Sequence, residues 1–375
     1  PSTFTMNLPM ASGVSPNMIT ACMNDAGPIA NPDYDPVSNP GVPAEIVDPF
    51  FDRRYSQFCY TFQYMPGGTT YLDTPVLPIA AFATSESPVD CEQADGVPLV
   101  YTVSGPNGSG PYVEQRGQLT ITAAGDRVVP NPDYDGTNSP TIARHYGFGT
   151  TPGEVSIGGV PLTDVVWSDE MITATVPAGT TTGQLEVTNA AGVSAPSGVT
   201  VTVGPLPRQV TVHQVVPSAD PNATPIQDAI DLAGPNDLVM VSPGTYDELV
   251  IMYKPVRLQG WGPLATVINA RKAPAEKLAQ WRTRLNILYD AGAFDLVPGQ
   301  EAGFNAADNE PLLLFDGEGA GITVLGKTTG PLSERFSASN NARIDGLTVT
   351  GADHGGGVFV NGHANYLQIS NNRLV

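Results

Sequence analysis

The sequence predicts an all-β protein built from several domains. Gly and Pro supply 40 and 36 of the 375 residues, and both residue types favour turns and interrupt helices. Hydrophobic residues make up 41% of the chain, which argues against disorder over most of its length. Short runs of alternating apolar and polar residues recur, and the chain is longer than one ordinary domain. Two or three β domains are therefore expected.

The first third of the chain carries weak patterns. Residues 1–45 are rich in Pro, Asn, Gly and Met and lack periodicity, so they predict an extended arm or linker. Residues 46–139 contain three strand candidates, at 57–64, 98–103 and 118–122, and predict a small β domain.

The three cysteines, Cys22, Cys59 and Cys91, all fall in the first quarter of the chain. Their number and spacing exclude a disulfide scaffold and a CxxC metal motif. One disulfide and one free thiol in an oxidising compartment is the simplest interpretation. We prefer a Cys59–Cys91 pair, because strand-like residues surround Cys59 and Cys91 follows the next apolar block. The sequence does not fix the pairing.

Residues 140–205 predict a β-sandwich. Strand candidates follow one another at short intervals: V-S-I-G-G at 155–159, V-V-W-S-D at 165–169, I-T-A-T-V-P at 172–177 and G-Q-L-E-V-T-N at 183–189. This ordered series resembles an IPT/TIG domain, over roughly 65 residues. The resemblance implies an immunoglobulin-like fold with Trp167 near its core. No internal cysteine pair is present, so the antibody-type disulfide is not expected.

Residues 206–375 begin with a different pattern. A Thr-Pro step at 224–225 precedes apolar residues at 226, 229, 230 and 233, and Gly234 ends this amphipathic helix. V-M-V-S-P-G-T-Y and K-P-V-R-L-Q-G-W-G follow it, at 239–246 and 254–262. This order resembles the opening of pectate-lyase-like right-handed parallel β-helices. The resemblance implies that the helix caps the first coil.

Further coils of such a solenoid are expected towards the end of the chain. The segments L-T-V-T at 347–350 and L-Q-I-S at 367–370 lie 20 residues apart, within the period of one coil. A last coil without a cap exposes a strand edge. We therefore expect that the protein continues beyond Val375 or that another chain covers this end. Likewise, because the first residue is Pro1, we expect any export signal to lie upstream.

A second helix is predicted at 273–290, where Leu278, Trp281, Leu285 and Leu288 form an apolar stripe. Basic residues concentrate in and just before this segment: Arg271, Lys272, Lys277, Arg282 and Arg284. Two interpretations remain open. The helix packs on the outside of the solenoid with a solvated basic face, or it offers a docking surface to an acidic partner or a glycan.

The pentapeptide N-P-D-Y-D occurs at 31–35 and again at 131–135. Carboxylates at alternate loop positions can supply oxygen ligands to Ca²⁺, so Asp33, Asp35, Asp133 and Asp135 are candidate calcium ligands. Neither copy completes an EF-hand loop. Asn-Pro and Asp also favour turns without any metal, and this interpretation stays open. No other cofactor is expected.

The likeness to pectate-lyase-like proteins implies candidate catalytic residues. Lyases of this fold use Asp-bound Ca²⁺ and a basic residue, whereas the related hydrolases use paired carboxylates on adjacent coils. The nearest candidates in this chain are Asp345, Asp353, His354, Arg343 and Arg373. The Asp353-His354 step before three glycines is equally compatible with a turn between coils.

The formal net charge of −20 disfavours nucleic acid and anionic membranes as partners. No phosphate loop, zinc motif or nucleophile elbow is present in the sequence. We expect an extracellular structural and binding protein of the cell surface or matrix, whose solenoid presents a face to polysaccharide or to other surface proteins. Self-assembly through the open coil end is a further expectation. The alternative is a carbohydrate-active enzyme, a polysaccharide lyase or hydrolase with an incomplete β-helix.

Overall fold

The computed structural model describes most of the chain, and over the residues that it describes the protein is mostly β-sheet with two α-helices. The described residues are 17–24, 29–35, 37–46, 51–52, 54–55, 58–64, 90–134, 137–271, 275–297, 304–305, 310–311, 319–340, 342–352 and 355–375. The all-β prediction is confirmed at this level. The chain divides into two compact units, one of residues 1–92 and 130–142 and the other of residues 93–129 and 143–375. Among the described residues no helix is long and apolar enough to cross a membrane.

Four short strands lie within the described residues of the first unit. They are β1 (Asn17–Met23), β2 (Ile29–Ala30), β3 (Glu45–Ile46) and β4 (Phe58–Tyr64). The strands β1 and β4 pair antiparallel, and so do β2 and β3. Part of the segment expected to be an extended arm is therefore β-strand.

The disulfide joins Cys22 to Cys59 and not Cys59 to Cys91, so the preferred pairing was wrong. Cys22 and Cys59 lie directly opposite each other in the β1–β4 ladder, with their Cα atoms 4.0 Å apart. Strand pairing, which the local sequence did not reveal, brings them together. Cys91 is exposed and its thiol is free.

The second unit begins with two mainly antiparallel sheets. One has the strand order β11-β10-β14-β15-β6, the other has the order β12-β13-β7-β5, and β8 and β9 form a separate ladder. The strands are β5 (Val100–Ser104), β6 (Tyr112–Glu114), β7 (Gln118–Ala123), β8 (Gly125–Pro130), β9 (Thr141–Tyr146), β10 (Glu154–Ile157), β11 (Val160–Pro161), β12 (Thr163–Trp167), β13 (Met171–Thr175), β14 (Gly183–Thr188) and β15 (Thr200–Gly204).

Buried side chains of both sheets form one hydrophobic cluster, which includes Val103, Ile121, Ile172, Leu185 and Val201. Alternation along each strand sends these residues to one face. Strands β5, β6 and β7 belong to these sheets, although the sequence suggested a separate domain ending at residue 139. The sequence predicted strands at 98–103 and 118–122, which overlap β5 and β7, but it did not predict β6. It also did not reveal that β6 and β7 pair with strands about 50 to 90 residues further along the chain.

Trp167 lies at the margin of this cluster. Its ring packs edge-on against Phe148 at a centroid distance of 6.0 Å, and its Nε1 donates to the Gly149 carbonyl at 2.9 Å. The predicted position near the core therefore holds, with the indole half-buried.

The rest of the second unit contains three sheets with only parallel pairing. Their orders are β16-β17-β20-β25-β28, β18-β21-β26-β29 and β19-β24-β27. The elements are β16 (Val212–Val215), α1 (Pro225–Leu232), β17 (Leu238–Val241), β18 (Gly244–Tyr246), β19 (Val250–Met252), β20 (Arg257–Gly260), β21 (Thr266–Asn269), α2 (Ala275–Asp290), β22 (Phe304–Asn305), β23 (Glu310–Pro311), β24 (Ile322–Val324), β25 (Arg343–Asp345), β26 (Thr348–Thr350), β27 (Val358–Val360), β28 (Gln368–Ser370) and β29 (Arg373–Leu374). The strands β22 and β23 form an antiparallel hairpin.

From β17 onwards the chain visits the three parallel sheets in a constant order and then returns to the first. Each complete circuit places one short strand in each sheet, directly beside a strand of the neighbouring circuit. Strand β16 precedes these circuits in the first sheet, and β28 and β29 extend two of the three sheets. The inward residues stack into one core, among them Val241, Leu258, Ile268, Ile322 and Ile344. Helix α1 adds Ile226 and Ile230 to this core, as the sequence predicted.

Candidate functional site

The predicted catalytic residues Asp345 and Arg343 lie on β25, with their side chains pointing away from the parallel-strand core. Both are buried. The Asp345 Oδ1 atom accepts hydrogen bonds from the Thr200 N–H at 2.8 Å and the Gln259 Nε2 at 2.8 Å. The Oδ2 atom accepts from the Thr200 Oγ1, the Ser370 Oγ and the Asn371 Nδ2, each at 2.7 Å. Five donors thus occupy the carboxylate.

Arg343 is held in the same cluster. Its Nε donates to the Gln259 Oε1 at 2.9 Å, and a terminal nitrogen donates to the Thr202 Oγ1 at 2.6 Å. Burial lowers the pKa of Arg343 to about 10, while the nearby charge of Asp345 opposes that shift and Arg257 adds to it. Arg257 is the register partner of Arg343 on β20.

We call these residues the joint cluster, because they connect the antiparallel sheets to the parallel ones. Its members share direct or bridging hydrogen bonds with Asp345 or Arg343: Gln184, Thr200, Thr202, Gln259, Arg343, Asp345, Ser370 and Asn371. A buried carboxylate with five donors has no free lone pair to act as a general base. The cluster therefore has the geometry of a structural joint.

Arg373 is the third catalytic candidate within the described part of the chain. Arg373 is exposed on β29 and pairs in register with Thr348. Asp353 and His354 lie outside the described residues. Of the three candidates that the structure describes, Arg343 and Asp345 are brought together in the joint cluster.

The sequence contained a signal for the joint that we missed. On β15, Thr200 and Thr202 alternate with the buried Val201 and the partly buried Val203, so the threonine side chains point away from the hydrophobic cluster of the two antiparallel sheets. Arg343 and Asp345 likewise alternate with the inward Ile344. Polar residues on the outward face of a strand usually contact solvent. Here the outward faces of β15 and β25 contact each other instead.

The two N-P-D-Y-D segments form matching turns. In the first, the Asp33 N–H donates to the Asn31 Oδ1, the Asn31 Nδ2 donates to the Pro43 carbonyl, and the Asn39 Nδ2 donates to the Asp33 carbonyl. In the second, Asn131, Asp133 and Asn138 make the equivalent bonds, with the Ser139 carbonyl as acceptor. These bonds favour the turn interpretation of the motif.

The Asp35 carboxylate accepts hydrogen bonds from the Val37 and Ser38 backbone N–H groups, and these bonds lower its pKa. Asp135 lies outside the described residues. Across the part of the chain that the structure describes, no group of three or more His, Cys, Asp or Glu side chains is placed to hold a metal ion. Calcium binding at Asp33, Asp35, Asp133 or Asp135 remains a proposal without support from this geometry.

A cavity of about 860 Å³ lies between α1, the β18–β19 connection and α2, and we call it the helix cavity. It is lined by Asn222, Thr224, Gln227, Asp231, Asp247, Glu248, Leu249, Tyr253, Glu276, Lys277, Ala279, Gln280, Trp281, Thr283, Arg284, Ile287 and Leu288. Its volume is in the range of small-molecule sites in proteins.

The walls of the helix cavity are fixed by packing and by ionic contacts. Helix α2 packs on the β19-β24-β27 sheet through Trp281, Leu285 and Leu288. These side chains contact Ile251, on the outer face of β19, and Leu325, the residue that follows β24. The predicted helix and its apolar stripe are therefore present, beginning at Ala275.

The basic residues of α2 are only partly solvated. Arg284 forms an ion pair with Asp231 of α1, and the Lys277 Nζ donates to the Asp247 backbone carbonyl. These two side chains attach α2 to its neighbours. Lys277 and Arg284 thus combine partial exposure with oxygen acceptors beside α1 and β18.

Glu248 lies at the base of the helix cavity and is 2% exposed. Its two carboxylate oxygens accept from the Ile226 and Gln227 backbone N–H groups, at 3.0 and 3.1 Å. It therefore caps α1, whereas the hydroxyl of Thr224, directly before the helix, makes no capping bond. Burial raises the pKa of Glu248 to about 7, although the hydrogen bonds from the two backbone N–H groups act in the opposite direction and lower it.

We expect Glu248 to make the second unit less stable as pH rises. The folded protein holds the Glu248 proton more tightly than the unfolded chain, so stability is lost between the ordinary pKa of 4.5 and about 7. A shift of this size corresponds to about 3 kcal/mol. The unfolding free energies of the wild type and of Glu248→Gln would be measured from about pH 4 to about pH 8. Over this range the wild type should lose about 3 kcal/mol relative to the variant, because glutamine does not titrate. Parallel profiles for the two proteins would contradict the expectation.

Comparison with known proteins gives little support to any family. The sequence matches no protein-family profile, and no curated protein matches it. Among solved structures, the chain is similar to a gamma-CGTase from alkalophilic Bacillus clarkii, at 24% identity and a TM-score of 0.22. That likeness covers 34% of this chain and only 15% of the other protein. At this level it carries no inference about fold or function.

Proposed function

We propose that this chain is an extracellular structural and binding protein of a cell surface or matrix, with glycan or protein partners. In this proposal the antiparallel sheets form an immunoglobulin-like sandwich of the IPT/TIG type. The parallel circuits form a right-handed β-helix capped by α1. The Cys22–Cys59 disulfide supports an oxidising compartment.

The joint cluster is the observation that carries this proposal. It fastens two β modules through buried hydrogen bonds, with Asp345 and Thr202 both 0% exposed. A rigid connection of this kind suits a protein that holds its modules in a fixed geometry. The same bonds occupy the Asp345 carboxylate, which argues against the alternative of a lyase or hydrolase that uses this residue.

We expect the purified chain to leave polysaccharides intact. Polyuronates and neutral polysaccharides would be incubated with the chain in the presence of Ca²⁺, and unsaturated and reducing ends would be measured over time. No increase above the chain-free control is expected. A steady release of either product would favour the carbohydrate-active enzyme instead.

Retention on insoluble polysaccharide tests the binding half of the proposal. The chain should co-sediment with at least one cell-wall or matrix polysaccharide, and a soluble form of the same polysaccharide should compete. Failure to sediment with any of them would remove glycan from the proposed partners.

A further inference from the structure

We infer that Asp126, His145 and Asp169 form a pH-sensitive contact of the second unit, and that strand β8 is released from it as pH rises. We call these three residues the histidine bridge. Asp126 lies on β8, His145 lies on β9, and Asp169 lies in the turn between β12 and β13. The inference goes beyond the proposed function, because it concerns a conformational change and not a partner.

The His145 ring lies between two carboxylates. Its Nδ1 atom is 2.6 Å from the Asp126 Oδ1, and its Nε2 atom is 2.9 Å from the Asp169 Oδ2. Ionised carboxylates only accept hydrogen bonds, and a neutral imidazole has a single N–H. Both contacts are therefore hydrogen bonds only when both ring nitrogens carry a proton, which gives the ring its positive charge.

The backbone on either side of this contact is held without the ring. The His145 N–H donates to the Asp95 Oδ1 at 2.7 Å, and the His145 carbonyl accepts from the Gly96 N–H at 2.9 Å. On the other side, the Asp169 Oδ1 accepts from the Gly149 N–H at 2.8 Å. Strand β9 and the β12–β13 turn therefore stay in place whatever the charge of the imidazole.

Asp126 has no comparable anchor, and its side chain is 80% exposed. After loss of one proton the ring donates to a single carboxylate, and its other nitrogen turns a lone pair towards the second. The Asp169 side chain is 29% exposed and is also bonded to Gly149, whereas water can solvate Asp126 at little cost. Asp126 is therefore the group that leaves. Within the described residues β8 pairs with β9 alone, so it loses one of few attachments.

Gly147 leaves the space that the histidine bridge needs. A Cβ atom at this position would collide with the His145 Nε2 and with the Asp169 Oδ1. Glycine thus allows the ring and the carboxylate to approach each other across the strand end.

The charged groups next to the ring are mainly acidic. Asp95 faces His145 through the backbone N–H, and Glu170 follows Asp169 in the turn and is exposed. The neighbouring basic side chains are engaged elsewhere: Arg144 donates to a backbone carbonyl and Arg127 lies over a tyrosine ring. The surroundings therefore favour the charged form of the imidazole.

The direction of the pH effect follows from these charges. Hydrogen bonds to Asp126 and then to Asp169 raise the pKa of His145 above its ordinary value of 6.5. A group whose pKa is raised by folding stabilises the folded state fully below its ordinary pKa, and this stabilisation is lost as pH rises through the raised value. The histidine bridge therefore holds β8 in mildly acidic solution and releases it in alkaline solution.

Amide hydrogen exchange of the full chain, measured from about pH 5 to about pH 9, tests the inference. Dividing each rate by that of an unstructured chain at the same pH gives the protection of each strand. Protection of β8 should fall about two- to fivefold as His145 loses its proton, the range for an exposed ion pair. Protection of β7, which pairs on both sides, should fall less.

The variant His145→Gln removes the titrating group and should abolish the fall in β8 protection. His213→Gln is the matched control, because the His213 Nε2 also lies 2.9 Å from a carboxylate, that of Asp237, but outside the histidine bridge. The control should keep the fall seen in the wild type. Asp126→Asn changes an exposed side chain and should reduce the fall as well, so it gives the same test if His145→Gln does not fold.

Proton NMR of the His145 ring provides a second measurement. Asp126→Asn and Asp169→Asn should each lower the pH at which the ring titrates, because each removes one carboxylate. Constant β8 protection in the wild type while the ring titrates would overturn the inference. So would a fall that persists unchanged in both His145→Gln and Asp126→Asn.

Discussion

Replacing Asp345 with asparagine is expected to lower the unfolding free energy of the second unit by about 3 to 5 kcal/mol. The carboxylate offsets the buried charge of Arg343, whose register partner Arg257 carries a like charge. An asparagine amide would also direct N–H groups towards the donors of Thr200, Ser370 and Asn371. The change therefore leaves a buried charge without compensation and buried donors without acceptors.

Differential scanning calorimetry measures this effect as a decrease in Tm on the order of 10 °C. Asp220→Asn is the matched control, since Asp220 is exposed and its Oδ1 accepts a single backbone N–H, from Asn222. Adding Arg343→Met to Asp345→Asn should recover part of the loss, because the uncompensated charge is removed. If Asp345→Asn has the same Tm as the wild type and Asp220→Asn, Asp345 does not stabilise the joint cluster.

The sequence predicted individual elements well where one periodic pattern decided them. Apolar residues at helical spacing identified α1 and α2, and their inward residues Ile226, Ile230, Trp281 and Leu285 are buried as expected. Alternation identified β7 and β13 in the same way. Such patterns depend only on which face of one element is buried, and the local sequence contains that information.

The partners of these elements were not predictable in the same way. Strand β7 pairs with β13, and the outward face of β25 meets β15 through Asp345 and Thr200. Both contacts join residues far apart in the chain, and a polar outward residue has the same local pattern whether solvent or protein covers it. The sequence therefore named Arg343 and Asp345 as candidates without revealing the buried contacts that they make in the joint cluster.

The helix cavity was missed for a related reason. Glu248 stands in a turn region after P-G-T-Y, where an acidic residue is ordinarily solvated, and its burial follows from the approach of α1 and α2. Trp281 was identified as part of an apolar stripe, which is correct for its ring but says nothing of its Nε1. The chemistry of a site depends on atoms that hydrophobic periodicity does not distinguish.

Loss of the Cys22–Cys59 disulfide is the other change for which we expect a large effect. The bond closes a loop of 37 residues within the first unit. A cross-link over a loop of this length stabilises the folded state by about 4 kcal/mol, mainly by restricting the unfolded chain. Two short strands paired outside a larger sheet have little stability of their own, so Cys22→Ser should destabilise the β1–β4 ladder strongly.

Limited proteolysis of residues 17–64 under native conditions measures this effect. Cys22→Ser, Cys59→Ser and the reduced wild type should all be cleaved in this segment much faster than the oxidised wild type. Cys91→Ser is the matched control and should resist like the wild type, because Cys91 is exposed and unbonded. Thiol labelling of the oxidised wild type under denaturing conditions should modify Cys91 alone. Labelling at Cys22 instead, together with rapid cleavage of Cys91→Ser, would restore the Cys59–Cys91 pairing that the sequence first suggested.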